Sequence, residues 1–283
     1  MGQLHEAHHA ALKGLSLSRL QENQYQEAIS LNVLGNTLAA SGVSGVSDIA
    51  LRRAIRIDSK RSDPQGVGLG NSWLAQCRLL SDASAQAQQL AQHAWILAQV
   101  DRFEKDCILA ARLQGAAALE LGDLAAATER LHHALTRARA VSYVEEELPA
   151  LTALAEMRRR QSELDKAREH LDAVWEPALR GPYPMLHADA CNVLARIEND
   201  SGNRDAAVQA STRAYELAWC DGPPYAYAYA YGLKHAKKLL ADLGVPEPEC
   251  EPFDESNFEP LPDVEINPKD EFWVDPDGDS TDE

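Results

Sequence analysis

The sequence predicts an all-α fold, a solenoid of stacked antiparallel helix pairs, and three observations predict it. Small residues recur every 40 positions: Gly14, Ala54, Ala94, Ala134, Val174, Ala214 form one column. Seven places earlier stand Ala7, Ser47, Ala87, Ala127, Ala167, Ala207, and a third column reads Gly35, Ala75, Gly115, Ala155, Ala195. Turn-forming segments fall in phase with these columns, at 21–24, 61–64, 101–104, 142–144, 181–184 and 221–224, with a second set near Gly42, Asp82, Gly122, Ser162 and Gly202. Between breaks the apolar residues keep helical spacing, as in Leu31, Leu34 and Leu38. A self-similar period of this length marks a repeat array in which stacking, not any single pair, buries the core.

Taken in order, the elements are a half repeat over 5–20 and full repeats over 25–64, 65–104, 105–144, 145–184 and 185–224. A capping helix follows over 225–243, stopped by Gly244 and Pro246. Each full repeat is a helix A followed by a helix B. The half repeat has helix B phase, so the reading expects an unusual cap or part of a longer array. The repeat array occupies 1–245, and 246–283 is an acidic, proline-rich tail, mostly extended or disordered.

The tail holds fifteen Asp and Glu against one lysine, so it carries −14 of the net −17. Like charges repel and proline breaks helices. Phe253, Phe258, Leu261, Val264, Ile266, Phe272 and Trp273 interrupt the acidic run, and they suit docking on this chain or a partner. One expectation is that the tail folds back on arginines of the array, anchored by Phe272 and Trp273. The alternative, which the sequence favours slightly, is a solubilising tail.

The columns resemble the tetratricopeptide repeat (TPR). Its pattern is met by Leu31, Leu34-Gly35 and Leu38 on helix A, then Ser47, Leu51 and Ala54 on helix B. Its ordinary period is about 34 residues, so roughly six extra residues lengthen both helices where helix B meets the next helix A. The resemblance covers about 5–244. It implies a right-handed superhelix whose A helices line a concave groove for a peptide or protein segment. Carried onto this sequence, the groove residues are Asn32, Asn36, Trp73, Gln76, Arg112, Glu156, Arg159, Asn192, Arg196 and Asn199. Asn amides both donate to and accept from an extended backbone, and Arg offers a fork to carboxylates. No lysine occupies these offsets, so the carboxylate clamp of chaperone-binding TPR proteins is not met.

A second resemblance covers about 50 residues at the C-terminal end. Ala218-Trp219-Cys220-Asp221-Gly222-Pro223-Pro224-Tyr225, the helix ending Leu239-Leu240, and Pro252-Phe253-Asp254 are similar to the ends of TPR arrays on bacterial STAND-type (NACHT-like) NTPases. That implies a ligand-sensing module, with a P-loop NTPase or signalling protein as partner.

Other chemistry is weakly signalled. Gly66-Val67-Gly68-Leu69-Gly70 lacks the Lys-Ser/Thr of a phosphate loop and falls at a repeat turn. His5, His8 and His9 share one helix, but nothing nearby completes a tetrahedral metal set. The five cysteines are odd in number with no CxxC, which fits small core residues in a reducing cytoplasm. There is no run of about 18 apolar residues and no signal-peptide layout at the first residues. The net acidity disfavours nucleic acid. The expectation is a cytoplasmic, non-catalytic scaffold without cofactor or metal, binding a peptide or protein segment. The alternative is the sensor of a STAND-type NTPase.

Overall fold

A computed structural model describes residues 2–101, 103–222 and 228–267. Among the described residues it contains twelve α-helices, one short 3-10 turn at Glu255–Asn257 and no strand. The helices are α1 (Leu4–Leu20), α2 (Gln24–Ala40), α3 (Ser44–Lys60), α4 (Pro64–Leu80), α5 (Ser84–Asp101) and α6 (Glu104–Glu120). They continue as α7 (Leu124–Ala140), α8 (Val144–Arg160), α9 (Leu164–Arg180), α10 (Pro184–Asp200), α11 (Arg204–Trp219) and α12 (Ala230–Asp242). Helix accounts for 78% of the described residues, more than twice the share in an ordinary domain, so an all-α array is the architecture.

The turns explain the regular spacing. A residue with positive φ occurs at Glu22, Gly42, Ser62, Asp82, Gly122, Ser142, Ser162 and Gly202, on a 20-residue beat. At Gly42 its N–H donates to the Ala39 carbonyl and the Val43 N–H reaches back to Leu38. This pair of bonds closes the helix end and reverses the chain in three residues. Asn23, Asp63 and Asp123 then cap the following helices, accepting from the N–H of Gln26, Gly66 and Ala126. Both helices of the first full pair therefore have 17 residues.

The chain divides into two compact units, one holding His5–Leu113 with the tail from Asp254, the other Met1–Leu4 with Gln114–Phe253. In the first, α2 packs on α3, α3 on α4 and α4 on α5, and α2 also touches α4. In the second, α7 to α12 pack pairwise in order, with further contacts of α8 to α10 and α10 to α12. Each unit thus stacks helix pairs on their sequence neighbours, in the manner of an α-solenoid.

Small residues set how closely the two helices of a pair approach. A Cβ on Gly35 would lie 2.5 Å from Leu51 Cγ and 3.2 Å from the Ser47 carbonyl oxygen. The Ser47 hydroxyl donates to the Gly35 carbonyl at 2.7 Å. In the other unit Gly115 repeats the arrangement, its missing Cβ facing Leu131 Cγ at 2.7 Å and the Leu131 nitrogen at 3.1 Å. Large residues between the small ones complete the cores, including Leu31, Leu34, Leu51 and Ile57 in one unit and Leu131, Leu148, Leu151 and Leu154 in the other.

The last helix starts later than its sequence pattern predicts, at Ala230 rather than Tyr225; residues 223–227 lie outside those described. Tyr229 accounts for the late start. It is extended (φ −71°, ψ 93°), its N–H donates to the Ala218 carbonyl at 2.7 Å, and its buried hydroxyl meets Asp189 at 3.0 Å. This anchoring holds the chain against α11 before a helix can begin. The described part of the tail, to residue 267, then runs without helix apart from the 3-10 turn. Glu247 accepts from the Tyr215 hydroxyl at 3.0 Å and pairs with Lys237 at 2.9 Å. Trp219 donates its indole N–H to the Glu251 carbonyl at 2.6 Å, and Phe253 is buried.

Gly35→Val tests the close approach. The added methyls meet Leu51 and the Ser47 backbone, so overpacking outweighs the few tenths of a kcal/mol gained in helix propensity. The expected loss is about 1–3 kcal/mol, read as a lower denaturant midpoint for the unit that contains α2.

Candidate functional site

The predicted groove residues fall on α2, α4, α6, α8 and α10, the first helix of successive pairs. They belong to two units and form separate groups.

In the His5–Leu113 unit, Asn32 is buried on α2 and Asn36 is half-buried one turn further on. The position a Cβ would take on Gly70 of α4 lies 3.5 Å from Asn32 Oδ1, and that oxygen has no hydrogen-bond partner. Trp73 is half-buried and packs against two core clusters, with Leu74 and Cys77 on one side and Leu109 and Leu113 on the other. Arg112 is buried on α6, and its Nη1 donates to Gln76 Oε1 at 2.9 Å. Gln76 and Arg112 therefore act as a pair between neighbouring A helices.

In the other unit, Glu156 of α8 is a buried carboxylate among three arginines. Arg159 donates from Nε at 2.8 Å and from Nη2 at 3.0 Å, the two-pronged geometry that suits guanidinium and carboxylate. Arg160 donates from Nε at 2.8 Å. Arg196 of α10 approaches with Nε at 3.4 Å, and that nitrogen is buried without a hydrogen-bond partner. Burial pushes the Glu156 carboxyl up, but the bonds and charges of Arg159, Arg196 and Arg160 outweigh it and hold the group at about 2. Arg159 also pairs with Asp200, and Arg160 with Glu120 and the Leu119 carbonyl. Asn192 is buried, and its amide donates to the Gly232 carbonyl at 3.0 Å. Asn199 is exposed.

The residue pattern missed a third group, on α1. The tail lies along this helix: the Phe258 ring sits tilted 4.7 Å from the His5 ring, Glu259 pairs with His9 at 3.3 Å, and Arg19 meets the carbonyls of Glu265 and Ile266. Tail and helix therefore run in the same direction. Eight extended residues cover about 26 Å and the fourteen helical residues from His5 to Arg19 about 21 Å, so the two lengths match. At 100° per residue, His5, His9 and Arg19 lie on the side of α1 opposite its small-residue columns. Leu261, Val264 and Ile266 pack against the cluster that includes Ala11, Leu12 and Leu15.

Arg19 joins the tail to the array, because its Nε also pairs with the buried Glu27 of α2 at 3.0 Å, and Glu27 accepts from Arg53 of α3. The signal for this pair was present in the sequence. Arg139 and Glu147 repeat it three periods later, at 2.7 Å. In this unit, then, the arginine that engages the tail is Arg19, whereas Arg112 binds Gln76. The expected anchors Phe272 and Trp273 lie outside the described residues.

Gly66, Gly68 and Gly70 lie in α4, which begins at Pro64 behind the Asp63 cap. Asp58, buried against Gly66, is pushed up to about 6, first by burial and then by Asp63, with Arg61 acting in the opposite sense. Among the described residues no three His, Cys, Asp or Glu side chains are placed to hold a metal ion. Burial pushes the Cys191 thiol up to about 12 and Cys220 to about 11. No described helix is long and apolar enough to cross a membrane.

The chain matches no protein-family model and no curated protein.

Two predictions follow from these groups. Glu156 has a depressed pKa when folded, so its contribution is complete above about pH 5 and is lost as pH falls toward 2. Glu156→Gln should cost on the order of 3 kcal/mol at pH 7 and much less at pH 3, measured as denaturant midpoints of both proteins at both pH values. Arg19→Ala removes the fork that holds two tail carbonyls. Amides of residues 258–266 should then exchange with deuterium at least tenfold faster while α8 and α10 are unchanged, read by mass spectrometry.

Proposed function

We propose that this chain is a non-catalytic interaction scaffold of the tetratricopeptide type, which binds an extended peptide or protein segment across its A helices. The observation that carries the reading is Asn32: a buried amide oxygen on an A helix, without a partner, beside a glycine. Leaving a buried acceptor unpaired costs about 1–3 kcal/mol, and a ligand backbone N–H would recover it. Arg196 supports the same reading from α10, since its buried Nε also lacks a hydrogen bond. Asn36, half-buried on α2, and Asn199, exposed on α10, add further amide groups on A helices. The raised thiol pKa values of Cys191 and Cys220 agree with a non-nucleophilic role.

A second reading is a ligand-sensing module for a STAND-type NTPase. It rests on the C-terminal resemblance, whose described parts form one packed group: Trp219 on Glu251, Tyr229 on Ala218, and buried Phe253. A specific complex with a P-loop NTPase from the same organism would favour it.

The test is selection of a random peptide library displayed on phage against the folded chain. The expected result is enrichment of extended sequences; affinity for those bound by the His5–Leu113 unit falls about tenfold for Asn32→Ala, and for those bound by the other unit about tenfold for Arg196→Gln, with helix content unchanged by circular dichroism. Failure to enrich any peptide, or equal binding by both variants, would overturn the reading.

A further inference from the structure

The outer face of the B helices is largely open to solvent, but on α1 it is covered. His5, His9, Leu12, Ser16 and Arg19 keep helical spacing and form one stripe along α1. The repeat positions of His5 in the five later B helices hold Gly45, Ala85, Ala125, Asp165 and Asp205, all exposed. His5 is 2% exposed. The positions of Leu12 hold Arg52, Gln92, His132, Asp172 and Thr212, each exposed or half-buried. Leu12 is 5% exposed. A buried aliphatic side chain thus stands where the five later B helices carry a polar one. The stripe is not the face that a helix pair turns toward the pair before it. That face carries Ala10 and Leu17, whose counterparts Ala50 and Ile57 pack in one cluster with Ala11 and Leu15 of α1. It lies about 100° round the helix from the stripe.

The tail covers the stripe, and the two sides of the contact differ in depth. Phe258 meets His5, and Leu261, Val264 and Ile266 pack on the cluster that includes Leu12, yet each of the four is only half-buried. None of residues 254–266 is buried, whereas the nearby Phe253 is 7% exposed. Glu259, Asp263 and Glu265 between the apolar residues are exposed, so the segment rests on α1 by one side. Pro260 and Pro262 restrict the backbone and exclude helix, which lowers the cost of ordering an extended segment. Arg19 holds carbonyls of Glu265 and Ile266 rather than their side chains. A deep stripe beneath a shallow, extended segment is the form of a peptide on its binding site rather than of a core element.

We propose that the outer stripe of α1 is a peptide-recognition site for an extended, acidic, proline-containing segment, and that residues 258–266 occupy it as an exchangeable intramolecular ligand. The site reads an aromatic ring at His5, a carboxylate at His9, aliphatic side chains over Leu12 and two backbone carbonyls at Arg19. Attachment to the array supplies the tail at an effective concentration of roughly millimolar order, so the site is filled without high intrinsic affinity. A free segment of the same chemistry then competes with the tail. The stripe lies on a B helix, apart from Asn32 on α2 and Arg196 on α10, so this proposal and the A-helix groove fail independently.

The experiment titrates a fluorescent synthetic peptide of residues 254–267 with the full chain and with a full chain carrying Leu261→Asp and Val264→Asp. The two aspartates replace half-buried tail residues, so circular dichroism should match the parent, and faster deuterium exchange at 258–266 reports release of the tail. The expected result is saturable binding to the released chain, read by anisotropy, and binding about tenfold weaker or more to the parent, whose own tail fills the site. Adding Leu12→Arg, the residue type at position 52, should weaken binding to the released chain about tenfold or more. Asn32→Ala should leave it unchanged. A peptide with the same two aspartates should show the same loss with the protein untouched, so the reading does not depend on how Leu12→Arg folds. No binding to the released chain overturns the proposal and makes the tail a fixed part of the fold. Equal binding by parent and released chains, or binding indifferent to both Leu12→Arg and the aspartates in the peptide, places the peptide elsewhere and overturns it. So does unchanged exchange at 258–266 in the aspartate variant, because the apolar contacts would then not hold the segment.

Discussion

The close approach of helix A to helix B at the small-residue columns is the constraint on which the rest of the structure depends. At Gly35 no side chain separates the backbone from Leu51, and the Ser47 hydroxyl bridges the same gap to the Gly35 carbonyl. With that distance set, and with turns on a 20-residue beat, each pair has one geometry and the next pair must repeat it. Stability is then a sum over neighbouring interfaces rather than the property of a central core. A further consequence is positional. Within a unit, successive A helices lie side by side, so polar residues near one repeat phase can act together, as Gln76 and Arg112 do at a spacing of 36.

This constraint also explains which features the sequence made legible. Small residues and turn formers are one-dimensional signals, and Gly35, Ser47 and Gly42 mark their helices and turns without reference to any partner. Tyr229 gives no such signal. Its run of alternating Ala and Tyr reads as helix, and only the bonds to Ala218 and Asp189 hold it extended. The candidate site divides in the same way. The phase placed Asn32, Asn36, Arg112 and Asn192 on A helices. It did not show that Arg112 is engaged by Gln76, or Asn192 by Gly232. Those pairings depend on the rotation between successive helices, which no local pattern encodes.

Charge in the sequence proved a poor guide to how the tail is held. Its net −14 suggested pairing with arginines, yet along α1 the described contacts are carbonyl oxygens of Glu265 and Ile266, three aliphatic side chains, the Phe258 ring and one His–Glu pair, and the described lysine pair is Glu247 with Lys237. An arginine that binds backbone carbonyls does not read the side chains, and the apolar contacts are indifferent to salt. The described acidic groups of the tail face water, where their mutual repulsion is screened within about 10 Å at moderate ionic strength. Docking and acidity are separate properties of this segment.

The polar residues of the A helices are likewise not equivalent. Glu156, Arg159 and Arg160 satisfy one another in a partly buried cluster; removing one member would leave charges unpaired, so they belong to the architecture. Arg112 and Asn192 are tied to neighbours in the same sense. Asn32 and Arg196 differ: Asn32 is buried, Arg196 is half-buried with its Nε buried beside Glu156, and each keeps one polar atom without a hydrogen bond. Burial fixes their side chains at an entropic cost already met on folding, so a ligand that completes their bonds does not have to order them. Recognition by this array would then rest on a few rigid, incompletely satisfied groups set among a larger number whose bonding is complete.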